Sequence, residues 1–309
     1  MLSYEVRRST TIKRSCADII QYLSDFKNWP TWSPWLILEP TCPVEYDGKQ
    51  QHIGACYSWN GDMIGAGSMT LTDKDSNSLD MTLEILRPFK SLAQVRFEVL
   101  QSNDHCVVTW AMTSKLPWYL FFMKSMMKNW IGMDYDRGLL MLKSQLETGQ
   151  ILSTPTILGE RHQPKVHYIA LKGRATIAQL GIVMQEHVAK LSAYTEAHDL
   201  SVIGPWFGLY ESMDKASTES EFFTCFPIDK PVDIQPPFVC DALEECETFV
   251  IQHKGAYPFM GNAWSLAMMA SRFKKIKIQD KPMGIERYVN RPQDVDDANL
   301  ITEIILFKK

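Results

Sequence analysis

The sequence predicts an α+β protein built from two domains, and three observations support this. Residues 1–148 consist of short strand-like runs that end in one long helical stretch. Residues 165–309 contain the same order of elements twice, a helix followed by two strands. Between them, residues 149–164 include two glycines and two prolines and show no sustained periodicity. We therefore predict a linker over 149–164 that joins two separately folded domains.

Composition and charge narrow the class of protein. The 309 residues are 45% hydrophobic and 22% charged, which is typical of a globular protein. The net charge of -4 gives no basic footprint for nucleic acid, so we predict no nucleic-acid partner. The seven cysteines form an odd set without a CxxC motif, and the N-terminus lacks the apolar core of a signal peptide. Both features predict reduced thiols and a cytoplasmic location.

The first domain is predicted to start with a strand at 4–13 and a helix from Cys16, with Ser15 as its N-cap. A helix over 117–147, about eight turns long, is predicted to end it. Charged residues interrupt its apolar run, so it is too short to span a membrane. It either lies across a sheet or is an interfacial amphipathic helix, and the first interpretation is favoured. Five strand-like runs separate the two helices, near 53–59, 64–72, 79–86, 91–100 and 105–113.

The apolar side chains of the long helix are predicted to cover the sheet and to close a hydrophobic cavity. None of these side chains can act as a base, so the cavity is expected to be apolar and without a catalytic pair. The covering residues are Phe121, Phe122, Met126, Met127 and Trp130. Those expected to line the cavity itself are Phe122, Met126 and Trp130.

The segment FKNWPTWSPW at 26–35, with the strands and the long helix that follow, resembles the SRPBCC superfamily. The resemblance covers about the first 148 residues and implies the START-like, polyketide cyclase-like helix-grip fold. Such domains enclose a hydrophobic cavity between sheet and helix, and they include enzymes, lipid binders and proteins that assist a partner. The superfamily has no universal catalytic residue, so the fold does not decide the function. Trp29, Trp32 and Trp35 are predicted to be structural and to close one end of the sheet.

The second half of the chain contains a repeated motif. IGPWFGLY at 203–210 follows one helical pattern, and MGIERYVN at 283–290 follows another. Each copy places a tyrosine near the end of its strand, whereas Glu286 of the second copy corresponds to Gly208 of the first. The duplication predicts two sheets related by a two-fold axis, with a concavity between them. One acid in an aromatic groove indicates a pocket for a small organic molecule.

The order and spacing of these motifs resemble the GyrI-like effector-binding domain, which has a duplicated βαββ fold. The resemblance rests on GPWFGLY at 204–210, HKGAY at 253–257, GIERY at 284–288 and ITEI at 301–304. It implies an aromatic cavity in which Glu286 attracts ligands that are cationic, or that are largely apolar and carry a polar group. Some members of the family hydrolyse strained cyclopropane-containing compounds with the same acid. No helix-turn-helix pattern precedes the domain, so a DNA-binding regulator is disfavoured.

The predicted ligand-binding residues of the second domain share an aromatic or acidic side chain. They are Glu286, Tyr288, Tyr210, Trp206, Phe207 and Trp264. The alternatives left open are a surface carboxylate at 286 and aromatic rings that merely fill the core. His253 is predicted to be a solvated residue at a strand end. Metal-ligand spacings and nucleotide or hydrolase motifs are missing, so no metal and no cofactor is predicted.

Three classes of function remain. The leading hypothesis is a binding protein without enzymatic activity that senses or sequesters hydrophobic or cationic compounds. The second is a hydrolase in which Glu286 acts as general base, with Tyr210 or Tyr288 polarising the substrate. The third is an interaction protein in which side chains fill both pockets, so that neither domain has an accessible cavity. Sequence alone fixes neither the ligand nor the oligomeric state.

Overall fold

A computed structural model describes residues 2–213 and 219–309 of the protein. The chain divides into two compact units, and the first ends at Ile151. Each unit contains one antiparallel sheet with helices, which confirms the α+β class. Among the described residues, no helix is both long and apolar enough to cross a membrane.

The first unit is a seven-stranded antiparallel sheet with a long helix after its last strand. The strands are β1 (Leu2–Ile12), β2 (Val44–Asp47), β3 (Cys56–Asn60), β4 (Ala66–Lys74), β5 (Ser78–Arg87), β6 (Ser91–Ser102) and β7 (His105–Leu116). Their order across the sheet is β1-β7-β6-β5-β4-β3-β2. The helices are α1 (Cys16–Ser24), the single turn α2 (Trp29–Trp32) and α3 (Lys124–Thr148), with 3-10 turns at Phe26–Asn28, Leu36–Leu38 and Trp118–Met123. Ser15 caps α1 as predicted, since its hydroxyl accepts a hydrogen bond from the backbone N–H of Asp18.

An aromatic cluster fills the interior between the sheet and α3. Trp29 and Trp32 are fully buried, and both meet the ring of Trp110 on β7 edge to face. Tyr135 of α3 stacks on Trp110, with 3.9 Å between the ring centroids. Trp35 meets both of these rings, so all three tryptophans of the 26–35 segment are structural, as predicted. Such offset and edge-on ring pairs hold the two layers together.

The face of α3 that packs on the sheet lies later in the chain than predicted. Phe122 and Trp130 are exposed and Met126 is half-buried, so the prediction that they line an interior cavity is not met. The helix approaches the sheet most closely at two glycines. A Cβ on Gly138 would lie 2.8 Å from the Trp110 ring, and one on Gly132 would clash with Arg8. Close approach therefore fixes the contact face of α3 from Gly132 onward, which a count of apolar residues could not reveal.

The second unit is an eight-stranded sheet with two helices. Its strands are β8 (Ser153–Gln163), β9 (Val166–Thr176), β10 (Phe207–Met213), β11 (Glu219–Ile228), β12 (Phe238–Leu243), β13 (Cys246–Gly255), β14 (Gly284–Tyr288) and β15 (Ile301–Phe307), and its helices are α4 (Ile177–Ala197) and α5 (Met260–Phe273). The order β12-β9-β11-β10-β14-β15-β13-β8 places the repeats β9-α4-β10-β11 and β13-α5-β14-β15 side by side. The duplicated βαββ arrangement is confirmed. The repeats share one continuous sheet, because β10 and β14 are hydrogen bonded to each other, and do not form the two sheets expected.

Most of the predicted linker belongs to the second sheet. Residues 153–163 form β8, which pairs with β13 along ten residues of that strand, from Cys246 to Gly255. An edge strand tolerates proline, because the missing N–H faces away from the ladder. The glycine is explained too, since Gly159 has a φ of 89° and lies where the register shifts opposite Val250. Proline and glycine therefore mark an edge strand with a bulge at this place.

The cysteines do not all carry the free thiols that the sequence predicts. Cys16 at the start of α1 and Cys106 in β7 form a disulfide, with 5.9 Å between their Cα atoms. The two residues are 90 positions apart in sequence, so spacing gave no signal of their pairing. The other five cysteines are free.

Candidate functional site

The candidate site lies where the two repeats of the second unit meet. Gly208 of β10 is the cross-strand partner of Glu286 of β14, and Tyr210 is the partner of Gly284. Side chains alternate between the two faces of a strand, so Tyr210, Glu286 and Tyr288 share one face of the sheet. The sequence order G-x-Y in one repeat and E-x-Y in the other thereby converges on one carboxylate between two tyrosines.

Glu286 is buried and accepts hydrogen bonds from three neutral donors. The hydroxyls of Tyr210 and Tyr288 donate to its Oε2 at 2.8 and 2.6 Å, and the indole Nε1 of Trp264 donates to Oε1 at 2.5 Å. Only 6% of Glu286 is exposed, so it is not the surface carboxylate considered as an alternative. Within the ranges that the structure describes, no lysine or arginine forms an ion pair with it. A buried acid without a cationic partner lacks the opposite charge that would offset the cost of its burial.

Aromatic rings and one methionine surround the carboxylate. Trp206 stacks on Tyr288 with 3.8 Å between centroids, and Tyr257 meets the same ring edge-on at 5.4 Å. Met184 of α4 places its Sδ 3.5 Å from the Tyr288 hydroxyl. Its methyl group lies 2.6 Å from where a Cβ on residue 208 would stand. The space that glycine leaves opposite the acid is thus filled by a flexible side chain.

The tyrosines of the site stay protonated. Burial raises the pKa of Tyr210 and Tyr288 well above the usual value, and the neighbouring carboxylate of Glu286 raises it further. Burial, with Asp297 and Glu286, also raises the pKa of Tyr257 to about 12. Both hydroxyls that contact Glu286 are therefore committed as donors to it. Neither is available in this arrangement to polarise a substrate.

Phe207 is not part of the site, and its prediction as a ligand contact is wrong. It precedes Gly208 on β10, so its side chain points to the opposite face of the sheet. There it is buried in a second cluster with Leu209 and Ile285, and it meets Tyr168 edge-on at 5.6 Å. The period-2 alternation that places Glu286 beside Tyr288 also excludes Phe207.

His253 is fully buried, so the prediction of a solvated strand-end residue is wrong as well. Its Nε2 lies 2.9 Å from the hydroxyl of Ser153, which accepts a hydrogen bond from the Asn262 side chain at 3.0 Å. Burial lowers the pKa of His253 to about 4, so the ring is neutral at pH 7. These three residues join β13, β8 and α5.

Two residues of the site were not predicted from the sequence. Met184 follows the helical spacing of the apolar face of α4, which reads equally well as ordinary core. Tyr257 stands in the HKGAY motif at the start of a 3-10 turn, and nothing in the local pattern shows that its ring meets Tyr288. Trp206, Tyr210, Trp264, Tyr288 and Glu286 do lie together, as expected. No group of three or more potential metal ligands occurs among the residues described.

Each of the two units matches the model of a different protein family. Residues 3–147 match the model of the family "Polyketide cyclase / dehydrase and lipid transport", and residues 160–306 match "GyrI-like small molecule binding domain". None of the curated proteins matches the chain at a significant level.

Several solved structures are similar to parts of this chain at low sequence identity. The EcmrR–DNA complex has 14% identity and a TM-score of 0.44, over 60% of this chain and 66% of that one, which is less than two thirds of its length. The EcmrR C-terminal domain has 14% identity and a TM-score of 0.42, over 52% and 99% of the two chains. The Aha1 dimer from Colwellia psychrerythraea has 16% identity and a TM-score of 0.36, over 48% and 99%. Likenesses of this size say nothing about ligand or activity.

Proposed function

Because the chain joins a domain of the polyketide cyclase / dehydrase and lipid transport family to a domain of the GyrI-like small molecule binding family, we propose that it captures a hydrophobic, cationic compound in its second unit. The observation that carries this proposal is the state of Glu286. The carboxylate is buried, three neutral groups donate to it, and no described cation pairs with it.

A cationic ligand would supply the positive charge that Glu286 lacks in this site. A carboxylate offers about four acceptor positions, and three of them are taken by Tyr210, Tyr288 and Trp264. One position is left for a ligand N–H, or for the general attraction of a quaternary cation. The surrounding rings provide apolar contact, and their faces attract positive charge as well. The site therefore favours a ligand that is both aromatic and positively charged.

A ligand can reach the carboxylate only if a neighbouring side chain moves aside. We propose that this side chain is Met184. Its thioether side chain is unbranched and adapts its shape at low cost. Its methyl group occupies the space beside Gly208, the residue that pairs with Glu286 across β10 and β14. Displacement of Met184 would open that space without disturbing the strands.

The test uses two ions of the same shape and opposite charge, tetraphenylphosphonium and tetraphenylborate. The full-length protein should bind the cation in preference to the anion, as measured by isothermal titration calorimetry. Glu286→Gln should weaken binding of the cation by about 1–3 kcal/mol, because a charge-assisted attraction is lost. Glu211→Gln is the matched control, since Glu211 lies in the adjacent strand and forms an exposed ion pair with Lys172. Equal affinity of the parent and Glu286→Gln for the cation would refute the proposal.

Hydrolysis with Glu286 as general base is the second candidate. The acceptor position left on the carboxylate could take a proton from water instead of a ligand. Tyr210 and Tyr288 already donate to Glu286, so the substrate would need a different polarising group. Incubation with a strained cyclopropane ester, followed by mass spectrometry, separates the two candidates. Turnover that Glu286→Gln abolishes would establish a hydrolase, and binding without turnover would establish a binding protein.

We also propose that the protein acts in the cytoplasm and without nucleic acid. The net charge of -4 and the five free cysteines support this proposal. The Cys16–Cys106 disulfide points the other way, because such bonds persist mainly in oxidising compartments. Thiol alkylation in intact cells, followed by mass spectrometry, resolves the conflict. Cys16 and Cys106 should both be alkylated without prior reduction if the location is cytoplasmic.

A further inference from the structure

One end of the first sheet carries a group of exposed apolar side chains that the fold does not use. They lie in the hairpin between β5 and β6 and in the 3-10 turn that follows β7. We call this group the aromatic end, and its members are Phe89, Leu92, Trp118, Tyr119, Phe121 and Phe122. Each of them is between 59% and 81% exposed. The 3-10 turn Trp118–Met123 buries none of its residues.

The two segments lie at the same end of the sheet. Strands β6 and β7 are antiparallel neighbours, with Ala93 opposite Ser114. The hydroxyl of Ser114 donates a hydrogen bond to the backbone carbonyl of Leu92 at 3.0 Å. The hairpin that holds Phe89 therefore ends beside the place where the chain leaves β7 for Trp118. Soluble proteins rarely expose so many large apolar side chains in one region unless something binds there.

The charged side chains of the two segments that carry the aromatic end are all basic, and one exposed acid, Glu84, lies opposite Leu92 in the neighbouring strand. Residues 85–92 and 115–130 contain five basic residues and no aspartate or glutamate. The basic residues are Arg87, Lys90, Lys115, Lys124 and Lys128. The whole chain has a net charge of -4, so this concentration of positive charge is local. Its charge is complementary to an anionic surface.

From this combination we propose that the aromatic end docks reversibly on an anionic lipid membrane. Tryptophan and tyrosine favour the boundary between lipid headgroups and hydrocarbon, because the ring has both an apolar body and a polar tip. Phenylalanine adds apolar area, and each nearby lysine or arginine gains energy from acidic headgroups. A protein partner would bury the rings equally well, but the excess of five basic residues over the single neighbouring acid, Glu84, favours the anionic lipid surface. Docking of the aromatic end does not depend on which ligand the second unit binds.

The primary test is sedimentation of the full-length protein with vesicles. Phosphatidylcholine vesicles with about one quarter phosphatidylglycerol should bind it, and pure phosphatidylcholine vesicles should bind it much more weakly. Raising the salt concentration from about 0.1 M to about 0.5 M should release it, because salt screens the lysines. Equal binding to both kinds of vesicle, or binding to neither, would overturn the proposal.

Paired variants assign the binding to the aromatic end. Trp118→Ser with Phe122→Ser, and separately Lys90→Gln with Lys124→Gln, should each lower the vesicle partition coefficient about tenfold or more. Ile182→Ser with Phe273→Ser controls for the loss of exposed apolar residues elsewhere. Lys27→Gln with Lys49→Gln controls for the loss of charge. If the control pairs lower the partition coefficient as much as the test pairs, the aromatic end is not the docking surface.

A second copy of the chain is the competing occupant, and it has its own readout. Sedimentation velocity without lipid reports the oligomeric state. The parent and the Trp118→Ser, Phe122→Ser variant should sediment alike if lipid is the occupant. A parent dimer that this variant dissociates, with no binding to acidic vesicles, would overturn the membrane proposal. Circular dichroism should show an unchanged fold, because both substituted side chains are exposed.

Discussion

Gly208 and Glu286 face each other across the two central strands of the second sheet and occupy equivalent positions in its two repeats. One repeat thus supplies a carboxylate where the other supplies no side chain at all. A Cβ on residue 208 would meet the methyl group of Met184 at 2.6 Å. A single glycine therefore makes a two-fold scaffold asymmetric, and the site holds one acid with one adaptable neighbour.

The first prediction concerns this glycine. Gly208→Ala should displace Met184 and change the free energy of unfolding by about 1 kcal/mol or less, because the end of a methionine side chain moves easily. In Met184→Ala the added methyl group has room, so the two substitutions should be less than additive in a double-mutant cycle. Urea unfolding of the parent, both single variants and the double variant measures this. Strict additivity would show that the Gly208 and Met184 positions are independent.

The second prediction concerns the two tyrosines that share Oε2 of Glu286. Tyr210→Phe and Tyr288→Phe should each lower the free energy of unfolding by about 1.5–3 kcal/mol, because each removes a hydrogen bond to a charged group. Tetraphenylphosphonium should bind these variants at least as tightly as the parent, since the carboxylate has lost a neutral partner. Tyr257→Phe is the control, because that ring touches Tyr288 without a hydrogen bond to Glu286 among the contacts described. Loss of cation binding in both test variants would mean that the hydroxyls contact the ligand directly.

The sequence identifies the centre of this site because the geometry there is local. Period-2 alternation along one short strand places Glu286 beside Tyr288, and the repeat supplies Tyr210 from the equivalent position. Met184 comes from a helix whose apolar face reads as ordinary core, so only tertiary structure shows its role. Phe207 is excluded by the same alternation, because it precedes Gly208 and its ring therefore lies on the other face of the sheet.

The errors in the first half also have a physical origin. Apolar content along α3 does not say which turns approach the sheet, and two glycines decide this by allowing close contact. As a result Trp130 near the start of α3 is exposed, and so is Phe122 in the 3-10 turn before the helix. The predicted linker shows the same limit, since proline and glycine are as typical of a bulged edge strand as of a loop. The pairing of Cys16 with Cys106 depends on the antiparallel fold of the whole unit, which local spacing does not contain.

The third prediction is a pH dependence caused by His253. Burial lowers its pKa from 6.5 to about 4 in the folded protein, so between these values the unfolded chain binds more protons. The free energy of unfolding should therefore fall as pH decreases from about 6.5 to about 4, by up to about 3 kcal/mol from this residue. Burial lowers the pKa of His187 too, which acts in the same direction.

His253→Gln should flatten this dependence, because it removes the titrating ring and keeps a partner for Ser153. His162→Gln is the control, since His162 is exposed and paired with Glu247. Urea unfolding at a series of pH values, with hydrogen exchange of β13 followed by mass spectrometry, measures the effect. An unchanged slope in His253→Gln would assign the pH dependence to other groups.

The fourth prediction concerns the disulfide of the first unit. The bond closes a loop of 90 residues, so it should raise the free energy of unfolding by about 4.6 kcal/mol through its restriction of the unfolded chain. Cys16→Ser with Cys106→Ser should be less stable than the oxidised parent by this amount and should match the parent in the presence of dithiothreitol. Cys240→Ser removes a free, half-buried thiol and serves as the control. Equal stability of the parent with and without reductant would mean that the bond does not form.

The last prediction is that the two units fold independently and that the second one needs β8. A fragment of residues 152–309 should unfold cooperatively, because it contains its whole sheet and both helices. A fragment of residues 165–309, cut at the end of the predicted linker, should be less stable by several kcal/mol, if it folds at all. It lacks the strand that pairs with β13, and it removes Ser153, which would leave the buried Nε2 of His253 without its partner. Thermal unfolding followed by circular dichroism compares the two fragments with residues 1–151 and the full chain. Equal melting temperatures of the 152–309 and 165–309 fragments would show that β8 is only a linker. The absence of a cooperative transition in 152–309 would show that the two units depend on each other for folding.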